Sequence, residues 1–214
     1  LWGAPLEALE GLIPPTTKNV GVKLLPHQVD GHDSGAANAS STDGMTLNEK
    51  ICKQDRKYAF IAEDREHFCM LYDLEQALAF AKAENKPVFV DFTGHSCANC
   101  RKMENSVWTD EKIRNILTTE YVTVSLYADE PHEFDTPKIS PDGEKLREIR
   151  DWVTDYQTRE YNTISLPYYV LMDYDESDLI FPGLGYTPDV DTYYAYLKSG
   201  IAEFNKRHGI TPAP

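Results

Sequence analysis

Apolar and polar residues fall into a readable order from Asp73 onward. Leu74, Ala77, Leu78 and Ala81 stand at i, i+3, i+4 and i+7, and Asp73 with Gln76 has the spacing of a capping box, which predicts a helix from 74 to about 84. Asn85-Lys86-Pro87 stops it. Val88-Phe89-Val90-Asp91-Phe92 is a short run of β-formers, as a buried strand requires. Thr93–Ser96 then reads as a turn, followed by a helix from Cys97 to about Asn105. A second helix, capped by Thr109, places Ile113, Ile116 and Leu117 on one face. Tyr121–Tyr127 is the next strand. Pro131, Pro137, Pro141 and Asp142-Gly143 predict an irregular loop over 129–142, ahead of a polar helix around Glu144–Tyr156. Pro167–Met172 and the weaker Asp178–Phe181 read as a strand pair joined by an acidic turn at Asp173–Ser177, and a final helix covers about Asp189–Arg207. The expected fold is therefore α/β, a mixed sheet with helices on both faces.

Ahead of Asp73 the pattern is poorer. Residues 1–15 are apolar and broken by three prolines, too short to cross a bilayer but able to form a flap on the domain or a membrane-proximal stub. Residues 27–46 are Gly, Ser, Asn, Asp and Ala with few large apolar groups, the composition of a linker. There is no internal repeat. Leu1 is not an initiator Met and no signal-peptide pattern follows it, so the chain is expected to be a piece of something longer.

Composition narrows the function classes. The 214 residues, 41% hydrophobic and 26% charged with four cysteines, suit one globular domain plus an extension. Lys and Arg number 21 against 35 Asp and Glu, a net charge of −14, which disfavours binding to a phosphate backbone, so no nucleic-acid partner is expected. Mean hydropathy is −0.49, and no run approaches the ~18–20 apolar residues of a membrane span.

The candidate chemistry sits in Cys97-Ala98-Asn99-Cys100, a C-x-x-C between a predicted buried strand and a helix. A thiol at a helix N-terminus meets unpaired N–H groups and the positive dipole end, so Cys97 is the expected nucleophile and Cys100, one turn in, the resolving thiol. Arg101 stands where a c-type haem site needs His. A structural zinc site would need two more ligands, and Cys52, Cys69 and His95 offer no second paired spacing. No metal is therefore expected. An inert structural disulfide remains open, although so short a loop stabilises little.

The segment Val90–Glu104, with Asp-Phe-Thr-Gly before the motif and Cys-Arg-Lys-Met-Glu at its end, resembles the active-site segment of thioredoxin-like domains. It is more closely similar to the carboxy-terminal periplasmic domain of DsbD-type thiol:disulfide interchange proteins. The resemblance spans roughly residues 70–207. It implies a thioredoxin-like fold with an N-terminal extension, residues 1–50 being a membrane-proximal segment and flexible linker and 51–210 the thioredoxin-like domain. It also implies that Asp91 is a buried acid with a raised pKa, moving the proton of the second thiol. Pro167 would be a cis-proline opposite the disulfide, leaving the backbone of Leu166 to pair with a substrate chain. Ala98-Asn99 stands where common thioredoxins have Gly-Pro, and Ser96 where they have an aromatic residue. Both differences bear on thiolate stability and hence on potential. His95 is either a stabiliser of the Cys97 thiolate or an exposed loop residue, and Tyr168 and Trp108 either pack or form a substrate platform.

The same resemblance implies a periplasmic domain tethered to the inner membrane in the full-length protein, monomeric as a fragment. Its partners would be a membrane-embedded thiol donor of the same parent protein and periplasmic thioredoxin-like or disulfide-bearing proteins, with cytochrome c biogenesis among the implied processes. No cofactor is expected beyond the Cys97–Cys100 disulfide, because the chain has no nucleotide-binding glycine motif and no flavin or haem signature. In an oxidising compartment Cys52 and Cys69, 17 residues apart, are expected to pair. The leading expectation is a disulfide reductase or electron relay. The competing one is a redox-inert module that docks a partner around Pro167.

Overall fold

The computed structural model describes residues 44–63 and 68–211. The expected stub at 1–15 and most of the expected linker at 27–46 lie outside the described residues.

The packed body begins before the boundary expected at 50/51. Helix α1 (Leu47–Cys52) buries Leu47, Asn48 and Ile51. Its capping box is reciprocal: Glu49 N–H donates to Thr46 Oγ1 at 3.2 Å, and Thr46 N–H donates to Glu49 Oε2 at 2.7 Å. Six residues with two large apolar positions are too few for a periodic signal, which is why the sequence pattern passes over α1. Cys52 is disulfide-bonded to Cys69, with Cα atoms 5.3 Å apart. The bond ties α1 to an extended strip at 68–72. Leu71 bridges Val124 there, through hydrogen bonds of 2.9 Å to Thr123 and Ser125.

Helix α2 (Leu74–Glu84) has Asp73 as N-cap and leaves through Asn85 in the left-handed region. Strand β1 (Val88–Thr93) is buried along its whole length. A short helix α3 (Ala98–Lys102) follows and passes into a single π turn at Met103–Val107, where a continuous helix to Asn105 was expected. Helix α4 (Glu111–Thr119) is capped by Asp110, which accepts from Lys112 N–H at 3.0 Å. The expected cap, Thr109, instead donates its hydroxyl back to Asn105 and Ser106 carbonyls. Strand β2 is Val122–Tyr127.

The largest departure from expectation lies between 129 and 148. Strands β3 (Glu133–Ile139) and β4 (Lys145–Glu148) form a separate two-stranded sheet, and α5 (Ile149–Tyr161) starts five residues later than the sequence suggests. Asp142-Gly143 is the turn of this hairpin, with Gly143 at φ 92°. Proline is tolerated because a two-stranded ribbon has two edges and the ladder around Pro137 is irregular. Phe134 and Leu146 are buried, while Lys138 lies 4.3 Å above the Trp152 ring of α5.

Strands β5 (Tyr168–Met172) and β6 (Asp178–Leu184), then helix α6 (Val190–His208), complete the domain. The main sheet has the order β2-β1-β5-β6, with β1 parallel to β2 and antiparallel to β5. Because register partners share a face, Phe89 and Asp91 project with Thr123 and Ser125 of β2 and with Leu171 and Tyr169 of β5. Phe89 meets Trp108 and Tyr169 there, and Tyr169 meets Tyr193 of α6. On the other face Phe92 packs against Tyr156 and Tyr161 of α5. Helices thus cover both faces of a mixed sheet. Among the described residues no helix is long and apolar enough to cross a membrane.

Candidate active site

Strand β1 delivers the chain to Gly94–Ser96, and Cys97 follows as the N-cap of α3. Its sulfur accepts from Cys100 N–H at 3.1 Å, so the donor that an N-cap oxygen normally takes is spent on sulfur. Cys97 is half-buried and Cys100, one turn on, is buried. The two are disulfide-bonded, with Cα atoms 5.3 Å apart. The less buried cysteine is thus the one at the helix start, where N–H groups favour a thiolate.

Asp91 is 2% exposed, on the face that Trp108 and Tyr193 cover, and Ser125 Oγ donates to its Oδ2 at 3.0 Å. The neighbouring phenols stay protonated. Burial pushes Tyr169 and Tyr193 far above the usual range, and the Asp91 charge adds to both. Ser125 also lines a cavity of about 130 Å³ together with Tyr127, Arg101 and Glu104. Glu104 is buried and ion-paired to Arg101 at 2.7 Å, while Arg101 also donates to Thr93 Oγ1 at 3.2 Å.

Register also places Pro167. Phe92 pairs with Tyr168, so Pro167, one residue earlier, stands at the end of the sheet where β1 gives way to the turn before Cys97. Pro167 is buried, Leu166 half-buried, and the bond between them is cis. Tyr168 is held by packing: its ring crosses Gly183, where a Cβ would come within 2.7 Å of Cζ, and its hydroxyl accepts from Gly183 N–H at 2.9 Å. Trp108 is a core residue whose indole N–H donates to Tyr193 Oη at 3.0 Å.

His95 is exposed. Its Nε2 lies 2.9 Å from Glu130 Oε2, and its ring sits 4.4 Å from that of Tyr127. Its backbone N–H, with that of Ser96, donates to Asp129. Sequence reasoning missed Asp129, Glu130 and Ser125. All three belong to β2 or its exit, about thirty residues from the motif, and only the β1–β2 register brings them to it. Among the described residues no group of three or more His, Cys, Asp or Glu side chains is placed to hold a metal ion.

A parallel β1–β2 pair with β5 and β6 antiparallel, helices on both faces, and a C-x-x-C at the end of β1 define a thioredoxin-like domain. Residues 74–200 match the family model for thioredoxin-like domains, and the chain belongs to that family. Among solved structures it is similar to a DsbH oxidoreductase at 18% identity, covering 66% of this chain and 92% of that one with a TM-score of 0.45. A thioredoxin from Thermus thermophilus aligns at 19% identity, 64% and 90% coverage and TM-score 0.46. The C-terminal domain of DsbD from Neisseria meningitidis, in its oxidised form, aligns at 16%, 62% and 99%, and 0.42. No curated protein matches the chain.

Proposed function

We propose that this protein is a thiol–disulfide oxidoreductase acting as a disulfide reductase through Cys97 and Cys100. The observation that carries the reading is the placement of the pair: a bridged C-x-x-C in a thioredoxin-like domain, with the less buried cysteine at the helix start and its buried partner one turn on. In the reduced protein the Cys97 thiolate attacks a partner disulfide. The partner's S–S bond breaks, a Cys97–partner bond forms, and the departing partner sulfur takes a proton. Cys100, deprotonated, then attacks Cys97 Sγ. The mixed bond breaks, the Cys97–Cys100 bond forms, and the partner leaves as a dithiol holding two electrons. Asp91 takes the Cys100 proton in this scheme, and Ser125 with its adjoining cavity supports a route for that proton to solvent. Leu166, Pro167, His95 and Tyr168 would meet the partner chain.

The finer reading is a periplasmic relay of the DsbD type. The residues ahead of α1 would be the membrane-proximal segment and linker, tethering the domain that α1 opens to a membrane-embedded thiol donor. The likeness of Val90–Glu104 to that family supports it. The Cys52–Cys69 disulfide fits an oxidising compartment. Reduction of insulin by a dithiol reductant tests the activity: wild type accelerates it, and Cys97→Ser does not. Equal rates with and without the protein would leave a redox-inert docking module in place of the reductase. The relay is tested by reducing the oxidised domain with the membrane portion of its parent protein. If a nicotinamide-dependent flavoprotein reduces it as fast, the relay reading is wrong.

A further inference from the structure

Asp129 leaves β2 at the point where the sheet hands the chain to the active-site turn. Tyr127 is in register with Thr93, and Ala128 N–H donates to Thr93 O at 2.9 Å. The turn itself is closed by Cys97 N–H donating to Gly94 O at 3.2 Å. Its two inner amides both donate to one carboxylate: His95 N–H to Asp129 Oδ1 at 2.8 Å, and Ser96 N–H to Oδ2 at 3.0 Å. Gly94 makes room for that carboxylate, since a Cβ there would lie 3.0 Å from Oδ2. Glu130 braces the arrangement from behind. One of its oxygens lies 2.9 Å from His95 Nε2, and the other accepts from His132 N–H at 3.0 Å.

We propose that Asp129 is a positioning residue for Cys97, locking the turn that presents the sulfur and holding the couple on the reducing side. The inference rests on the thiol–disulfide reading above. Backbone N–H groups and nearby cations stabilise a thiolate, and a stabilised thiolate makes the reduced pair easier to form and the couple more oxidising. Asp129 acts in the opposite sense on both counts. It takes the two amides immediately before Cys97 and sets a fixed negative charge beside them. The other charged groups about the turn are Glu130, His95, Arg101, Lys102, Glu104 and Asp91. Of these, Arg101 is engaged by Glu104 and Thr93, and His95 by Glu130.

The test is equilibration of the full chain with glutathione, in which two glutathione thiols give up two electrons and become a disulfide as Cys97–Cys100 opens to two thiols. Asp129→Asn should raise the equilibrium constant for reduction at least threefold and lower the pH midpoint of Cys97 alkylation in the reduced protein. A tenfold rise would correspond to about 30 mV. Glu130→Gln should move both in the same direction by less. Glu203→Gln removes the same charge near the C-terminal end of α6, whose Arg207 holds the β5–β6 turn at the other end of the sheet, and should move neither. Should Asp129→Asn fail to fold, Gly94→Ala displaces the carboxylate sterically and should shift the constant the same way. Unchanged constants and midpoints in the folded variants would overturn the proposal while leaving the oxidoreductase intact. A wild-type pair that does not exchange with glutathione at all would overturn both.

Discussion

Cys97–Cys100 closes three residues at the start of α3 and leaves Cys97 half-exposed, whereas Cys52–Cys69 spans 17 residues and clamps α1 to the strip beside β2. Both bonds hold their Cα atoms 5.3 Å apart, so the difference lies in what surrounds each sulfur. Around Cys97 the chain offers a helix start and a turn held by Asp129. Around Cys69, itself buried, Asn48 fastens the peptide group on both sides: its Nδ2 donates to Cys69 O at 2.8 Å, and its Oδ1 accepts from Cys69 N–H at 3.1 Å. The first setting leaves a cysteine that a partner can reach. The second favours a staple that stays shut.

The largest expected effect separates the two pairs outright. Cys97→Ser should reduce insulin turnover to the uncatalysed background, and Cys100→Ser should accumulate mixed disulfides visible on non-reducing gels. Equal trapping by the two variants would erase the division of labour. Cys52→Ser with Cys69→Ser should do the reverse, lowering unfolding stability by about 3 kcal/mol in a denaturant titration while leaving at least half the turnover. Asp91→Asn should slow resolution of the mixed disulfide near neutral pH between about ten- and a hundredfold, with the fold intact because Asn can still accept from Ser125. Stopped-flow quench with a Cys100-dependent substrate measures it.

The smallest effect concerns α1 once its staple is opened. Hydrogen bonds from the Thr46 backbone and side chain hold Glu49 below its ordinary value of 4.5. A depressed carboxyl supports the folded state above the unfolded pKa, and that support is lost as pH falls through the folded one. With Cys52–Cys69 reduced, amide protection factors in α1 should therefore fall as pH drops below 4.5, and Glu49→Gln should flatten that dependence. A pH-independent α1 would remove the capping box from the account.

What could be read in the sequence follows from the range of the interaction. Cys97, Cys100 and the α2, β1, β2 and α6 elements were legible because spacing, caps and apolar runs are local signals, and the burial of Asp91 and the cis bond at Pro167 because the resemblance to thioredoxin-like domains drew attention to them. The β3–β4 hairpin was not legible, since three prolines in the fourteen residues 129–142 look the same in a loop and in a ribbon whose edges are unpaired. Asp129 and Ser125 were invisible for a different reason. Their contacts with the turn and with Asp91 exist only through the parallel register of β1 on β2, which pattern reasoning places in a sheet without aligning.

The central claim is that surroundings make one disulfide a redox couple and the other a staple, and a redox titration with site-resolved readout tests it most directly. The oxidised full chain is equilibrated under native conditions across dithiothreitol potentials, quenched with acid, alkylated and digested, and the label on each of the four cysteines is quantified by mass spectrometry. The account predicts that Cys97 and Cys100 become labelled together while Cys52 and Cys69 remain paired until far more reducing potentials. Simultaneous opening of both pairs, or opening of Cys52–Cys69 first, would contradict it.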